Sequence, residues 1–161
     1  MNFPILSSLI LLPSIGALFI LISGASEKTN YQSSKYVALF VSFTNFFISI
    51  YLWYIFDPNI TNFQFVEDRS WLPGFINYKV GIDGISILFI VLSTLITPLC
   101  IVSVNKSVNT KLKEFLIAIL LMESLMIGVF CSIDLVIFYL FFEGGLVPMF
   151  LIIGIWGGPR R

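Results

Sequence analysis

The chain has 161 residues, 58% of them apolar and only 11% charged, and its mean hydropathy is +0.99. A water-soluble domain of this size needs more polar surface, so the solvent for most of this chain is lipid. Nine basic residues balance nine acidic ones, which leaves no basic field to hold nucleic acid.

A helix needs about 20 apolar residues to cross a hydrocarbon core of about 30 Å, and five stretches meet or approach that length. The first, 3–23, lies within MNFPILSSLILLPSIGALFILISG. It has no basic region before it and no Arg-rich presequence, so it is expected to be a retained span rather than a cleaved signal. The second is 36–56. The next segment, 57–79, is the only sizeable polar stretch. Apolar and polar residues alternate in NFQFVED, and Pro73-Gly74 is a good turn pair. Two readings stand side by side here: a small hairpin on the membrane surface, or an irregular loop anchored by Trp71 and its phenylalanines. The remaining spans are 82–104, 114–131 and 134–156. The expected architecture is all-α, a single polytopic membrane domain over 1–161 with five transmembrane helices.

Basic loops stay on the inner side of a membrane. Lys28 and Lys35 fall between spans one and two, Lys106, Lys111 and Lys113 between three and four, and Arg160 and Arg161 after span five. The loop at 57–79 carries Arg69 and Lys79 against Asp57, Glu67 and Asp68. The N-terminus and that loop are therefore expected outside and the C-terminus inside.

Histidine is absent, and Cys100 and Cys131 stand singly in apolar runs. Zinc, iron–sulfur and histidine-ligated haem sites are not expected, and both cysteines read as small membrane hydrophobes. The glycines of GIDG (81–84) lack the Lys-Ser/Thr of a phosphate loop. The chemistry that remains is carried by four acids in or beside the spans.

Asp83 opens span three and Asp134 opens span five, where a carboxylate accepts hydrogen bonds from free backbone N–H groups at the positive end of the helix dipole. Capping is the ordinary reading for both. Glu143 has no such explanation. It is the tenth residue of the span that starts at 134, roughly 13 Å deep at 1.5 Å per residue. A central acid costs about 2.5 to 3.5 kcal/mol to insert, and such residues face a protein interior or a wet cavity and mark ion or proton pathways. Pro148 has no N–H for the carbonyl of Gly144, and Gly144 and Gly145 bring no side chain to cover it. Irregular backbone at that depth needs protein or water to satisfy it. Glu143 is accordingly the candidate proton-transfer residue, with Gly144, Gly145 and Pro148 in support. Glu123 lies as far as Glu143 from the turn near residue 133, and is a further candidate if the two carboxyls face each other. No lysine, arginine or histidine stands in the middle of any span, so the acids alone do not complete a pathway.

The segment EGGLVPMFLIIGIWG (143–157) closely resembles chain 4 of NADH–ubiquinone oxidoreductase, respiratory complex I, including its bacterial subunit M form. FQFVEDRSWLP (63–73), GIDGIS (81–86), LMIGVFCSIDLVIFYLFFE (125–143) and the final IWGGPRR extend the match over nearly the whole chain. The resemblance implies an antiporter-like fold of about fourteen helices, built from two inverted five-helix repeats with extra terminal helices. This chain would be its N-terminal part. The resemblance also implies that Glu143 is an essential proton-channel residue whose lysine partners stand on later helices. Asp83 and Asp134 take a weaker role on the same basis, and Glu123 is not general to the family.

The resemblance thus implies a subunit of a proton-translocating enzyme that carries no redox chemistry itself. NADH, FMN, iron–sulfur clusters and ubiquinone would be bound by other subunits. The expected partners are the remaining part of chain 4 as a separate polypeptide, the neighbouring antiporter-like chains 2 and 5, and membrane lipid. The expected location is the mitochondrial inner membrane with the N-terminus in the intermembrane space; a bacterial plasma membrane is the alternative. A non-conducting scaffold of the membrane arm is the competing function, and an independent small transporter a third.

Overall fold

The computed structural model describes residues 4–22, 31–72, 76–104 and 111–157. Among the described residues five helices are long and apolar enough to cross a membrane: α1 (Ile5–Ile22), α2 (Tyr31–Ile55), α3 (Gly84–Ser103), α4 (Leu112–Cys131) and α5 (Leu135–Trp156). Between α2 and α3 stand two antiparallel strands, β1 (Gln64–Leu72) and β2 (Ile76–Ile82). The hairpin reading of that segment is the one realised, while the turn at Pro73-Gly74 lies outside the described residues. Helix α2 starts at Tyr31, earlier than the apolar run at 36. Its first turn, YQSSK, is polar and projects past the apolar stretch that marks the span.

Helix α4 occupies the centre and packs against α1, α2, α3 and α5. Among the described elements helix α5 leans on α4 and β2 only, and of its side chains just Ile137 and Pro148 are buried. Large apolar residues such as Leu11, Phe19, Phe40, Phe89 and Phe150 are exposed around the bundle. In water that surface would aggregate; in lipid it is the expected exterior.

The interior has three layers. At the hairpin end, Leu6, Leu9, Leu52, Val80, Ile87 and Ile127 form one apolar cluster. At the opposite end, Ala17, Ile20, Ala38, Ile101, Leu116 and Leu120 form another. Between them lies a buried polar layer of Ser42, Asn45, Ser49, Thr94, Thr97, Glu123 and Ser124. Helix α2 shows why. Ser34, Ala38, Ser42, Asn45, Ser49 and Leu52 recur every three or four residues and are all buried, so the small and polar stripe faces the neighbours and the aromatic residues face out.

The hairpin closes one end of the bundle. It pairs Glu67 with Val80, Asp68 with Lys79 and Arg69 with Tyr78, after an irregularity between Gln64 and Glu67 where Phe65 takes a left-handed φ of 53°. Glu67 reaches to α1, where its Oε1 accepts from Leu6 N at 2.9 Å and its Oε2 from the Ser7 hydroxyl. A glutamate from the hairpin thus supplies the cap that Pro4 cannot give to the first turn of α1. On the other side, Ile133 N donates to the Lys79 carbonyl at 3.1 Å, which ties the α4–α5 turn to β2. At the far end, Lys113 Nζ donates to the Leu21 carbonyl at 3.2 Å.

Helix α5 is held to α4 by close approach. A Cβ built on Gly128 would lie 2.6 Å from the Phe141 ring, so a side chain there must displace that ring. Gly128→Leu is expected to destabilise the α4–α5 contact by about 1–3 kcal/mol, as overpacking does. Thermal unfolding in detergent should show the loss, with partial recovery in the Gly128→Leu, Phe141→Ala double variant.

Candidate functional site

Both expected caps are realised. Asp83 Oδ1 accepts from Ser86 N at 2.7 Å and Ile85 N at 3.2 Å at the start of α3. Asp134 Oδ1 accepts from Val136 N at 2.8 Å and Ile137 N at 3.2 Å at the start of α5. The backbone hydrogen bond from Ser86, followed by the Ser86 side chain, holds the Asp83 carboxyl below the usual carboxylate range against a small opposing desolvation. These contacts fix the entry points of the two helices, and the position of α5 follows from Asp134 and the bond from Ile133 to β2.

Along α5, Gly144 and Pro148 point towards the bundle and Glu143 does not. Pro148 is buried, and a Cβ on Gly144 would sit 3.3 Å from Leu125 of α4. Glu143 is turned about 100° from Gly144 onto the open face, together with Phe142, Leu146, Val147 and Phe150, all exposed. The glycines therefore serve first as the place where α4 approaches, a packing role beside the backbone role argued from sequence. The carbonyl that Pro148 leaves without a donor belongs to the residue after the carboxylate.

On that open face the carboxylate has one neighbour from its own helix. The Tyr139 hydroxyl, one turn earlier, interacts with it. Tyr139 is missed by a reading that looks only for charges; its i, i+4 spacing from Glu143 is the signal that finds it. Among the described residues one ion pair occurs, Lys79 Nζ to Asp68 Oδ2 at 3.9 Å on the hairpin, so no described cation pairs with Glu143. Lys35, Lys111 and Lys113 stand at the end opposite the hairpin, and Lys28, Lys106, Arg160 and Arg161 lie outside the described residues.

Glu123 is placed differently. It is only 3% exposed, and its Oε1 accepts from Asn45 Nδ2 of α2 at 2.8 Å. The Thr97 hydroxyl of α3 adjoins the same carboxyl. Helix α4 meets α5 through Leu125 and Gly128, and Glu123 points to the other side of α4, about 200° from Leu125. The two glutamates share a depth and not a site, so the face-to-face pairing considered from sequence is not the arrangement adopted. Ser124 completes the layer by donating to the Ile10 carbonyl and accepting from Ser14. Among the described residues no group of three or more potential metal ligands occurs.

No family model matches the chain. It is 49% identical over 158 residues, 98% of its length, to NADH-quinone oxidoreductase subunit M of Rhodobacter capsulatus. It is 45% identical to NADH-ubiquinone oxidoreductase chain 4 of Marchantia polymorpha and 43% to that of Arabidopsis thaliana, over 97% of the chain in each case. The chain is a homologue of the N-terminal part of the subunit M and chain 4 family. It spans 30–31% of the length of these three relatives. The open face of α5 is the face at which the described helices end.

The Asp83 cap gives a pH test. Because the native carboxyl is held below its usual range, its stabilisation is full above the unfolded value and disappears as pH falls through the native one. Asp83→Ala should cost about 1 kcal/mol at neutral pH. The gap between variant and unsubstituted protein in thermal melts should close as the solution is acidified.

Proposed function

We propose that this chain forms part of the membrane arm of a proton-translocating NADH:quinone oxidoreductase and that Glu143 is its proton-transfer group. The observation that carries this reading is a carboxylate on an otherwise apolar, exposed face of α5. Ionised and facing lipid it would be strongly disfavoured. The face therefore needs a cover that supplies hydrogen-bonding or cationic groups, and the relatives, about three times as long, have further chain to provide it. On this reading the remaining part of chain 4 packs on α5 and brings the titratable partners that the described residues lack. Glu143 then takes up a proton when its neighbours are neutral and releases it when a cation moves close, with Tyr139 steadying the carboxylate.

The chain's own share is positioning and proton transfer. Asp134 and the bond from Ile133 to β2 set the height of α5, while Gly144, Gly145 and Pro148 set its closeness to α4. Electron transfer from NADH to quinone, with its flavin and iron–sulfur clusters, belongs to other subunits. The neighbours in the arm are the antiporter-like chains 2 and 5. The membrane is the mitochondrial inner membrane, with the N-terminus and hairpin facing the intermembrane space, or the plasma membrane in a bacterium.

Glu143→Gln keeps the shape of the side chain and removes the exchangeable charge. The assembled complex carrying it should oxidise NADH yet lose most of its proton pumping, measured by acidification in reconstituted vesicles. Undiminished pumping would defeat the assignment and leave the chain a non-conducting scaffold.

A further inference from the structure

Helices α2 and α4 meet at mid-depth through an incomplete polar pair. Asn45 Nδ2 donates to Glu123 Oε1 at 2.8 Å, and both residues are buried, 0% and 3% exposed. The other two atoms of the pair, Asn45 Oδ1 and Glu123 Oε2, have no hydrogen-bond partner among the described residues. If the carboxyl is ionised, both are acceptors, and neither can satisfy the other.

The surroundings offer little relief. The Thr97 hydroxyl adjoins the Glu123 carboxyl but donates to the Ser93 carbonyl at 3.1 Å, so its one hydrogen serves the carboxyl only by leaving that bond, and the Ser124 hydroxyl donates to the Ile10 carbonyl. Ser49 and Thr94 bond to each other at 2.7 Å. Lys or Arg occurs among the described residues only at the two ends of the bundle. A charge on Glu123 would thus be buried without a counterion, and two buried acceptors would stay unmatched.

One proton resolves both conflicts. We propose that Glu123 carries a proton on Oε2 and donates it to Asn45 Oδ1, closing a cyclic acid–amide pair that acts as a proton-holding site inside the bundle. The pair joins Nδ2–H to Oε1 and Oε2–H to Oδ1, so all four polar atoms are matched by two side chains. This site is separate from Glu143 and does not depend on the role given to that residue.

A groove beside the pair offers the proton a route. This groove of about 620 Å³ between α3 and α4 runs from Ser103 and Phe115, at the end opposite the hairpin, to Thr97 and Glu123 at mid-depth. Ser93, Thr97, Cys100 and Ser103 line it from α3 at helical spacing, as a strip of polar and polarisable groups along an otherwise apolar wall. The groove also extends past Glu123 to Ser93 and Met126, nearer the hairpin, so the holding site meets it part-way along its length.

Infrared difference spectroscopy on the whole complex at neutral pH tests the pair, comparing the unsubstituted form with Glu123→Gln. The glutamine reproduces both ring bonds without a proton to lose, so it should assemble at the unsubstituted level. The difference spectrum should contain the C=O stretch of a neutral carboxylic acid, displaced to lower frequency after transfer to D2O. Ionised carboxylate bands in its place, or failure of Glu123→Gln to assemble, would overturn the neutral pair and point to a donor from outside the chain. A neutral band that never responds to D2O would overturn the exchange route. Asn45→Leu removes the partner amide and should raise the C=O frequency towards that of an unbonded acid. An unchanged frequency would overturn the pairing with Asn45.

Discussion

Lipid offers no hydrogen bonds, and most of what is unusual in this structure stems from that. Polar atoms that would be met by water elsewhere must find partners within the chain or on another polypeptide. Helix interiors meet the demand through their own backbone. Helix ends cannot, so Asp83, Asp134 and Glu67 each supply acceptors to a first turn. Most buried polar side chains are gathered into one layer where they can serve each other, as Ser14 with Ser124 and Ser49 with Thr94 do. Apolar clusters above and below seal that layer.

The same demand separates the two deep glutamates. Glu123 sits within the polar layer, with an amide from α2 beside it and three helices around it. Glu143 stands on α5, which touches only α4 and the hairpin among the described elements. One carboxyl is enclosed by this chain; the other is offered to whatever packs next. Their equal distance from the α4–α5 turn says nothing about this difference, because rotation about a helix axis decides what a side chain meets and depth does not.

The spans were legible in the sequence because their signal is length and apolarity, which need no knowledge of neighbours. The caps at Asp83 and Asp134 were legible for a similar reason, since an acid just before an apolar run is a local pattern. The alternation in NFQFVED allowed a hairpin without deciding for it, and pairing with β2 decided it. What could not be read were contacts between distant parts of the chain. Asn45 and Glu123 are 78 residues apart and Glu67 and Ser7 are 60 apart, and no periodicity within one segment announces such meetings. A partial signal existed in α2, where Ser42, Asn45 and Ser49 share one stripe, and it foretold burial without naming the partner. The glycines at 144 and 145 leave backbone uncovered, as their sequence implies, and Leu125 shows that they also make room for α4.

The glutamate that caps α1 has a consequence for biogenesis. A ribosome delivers the chain from its amino end, and Leu6 and Ser7 leave it some sixty residues ahead of Glu67. Until β1 emerges, Leu6 N and Ser7 N are without the carboxylate that accepts from them in the folded chain. Docking of the hairpin thus completes α1 only after some sixty further residues have been made, and the strand that returns to α3 then sets the anchor that Ile133 will find on Lys79. The order of translation and the order of consolidation differ, with the hairpin as the clasp between them.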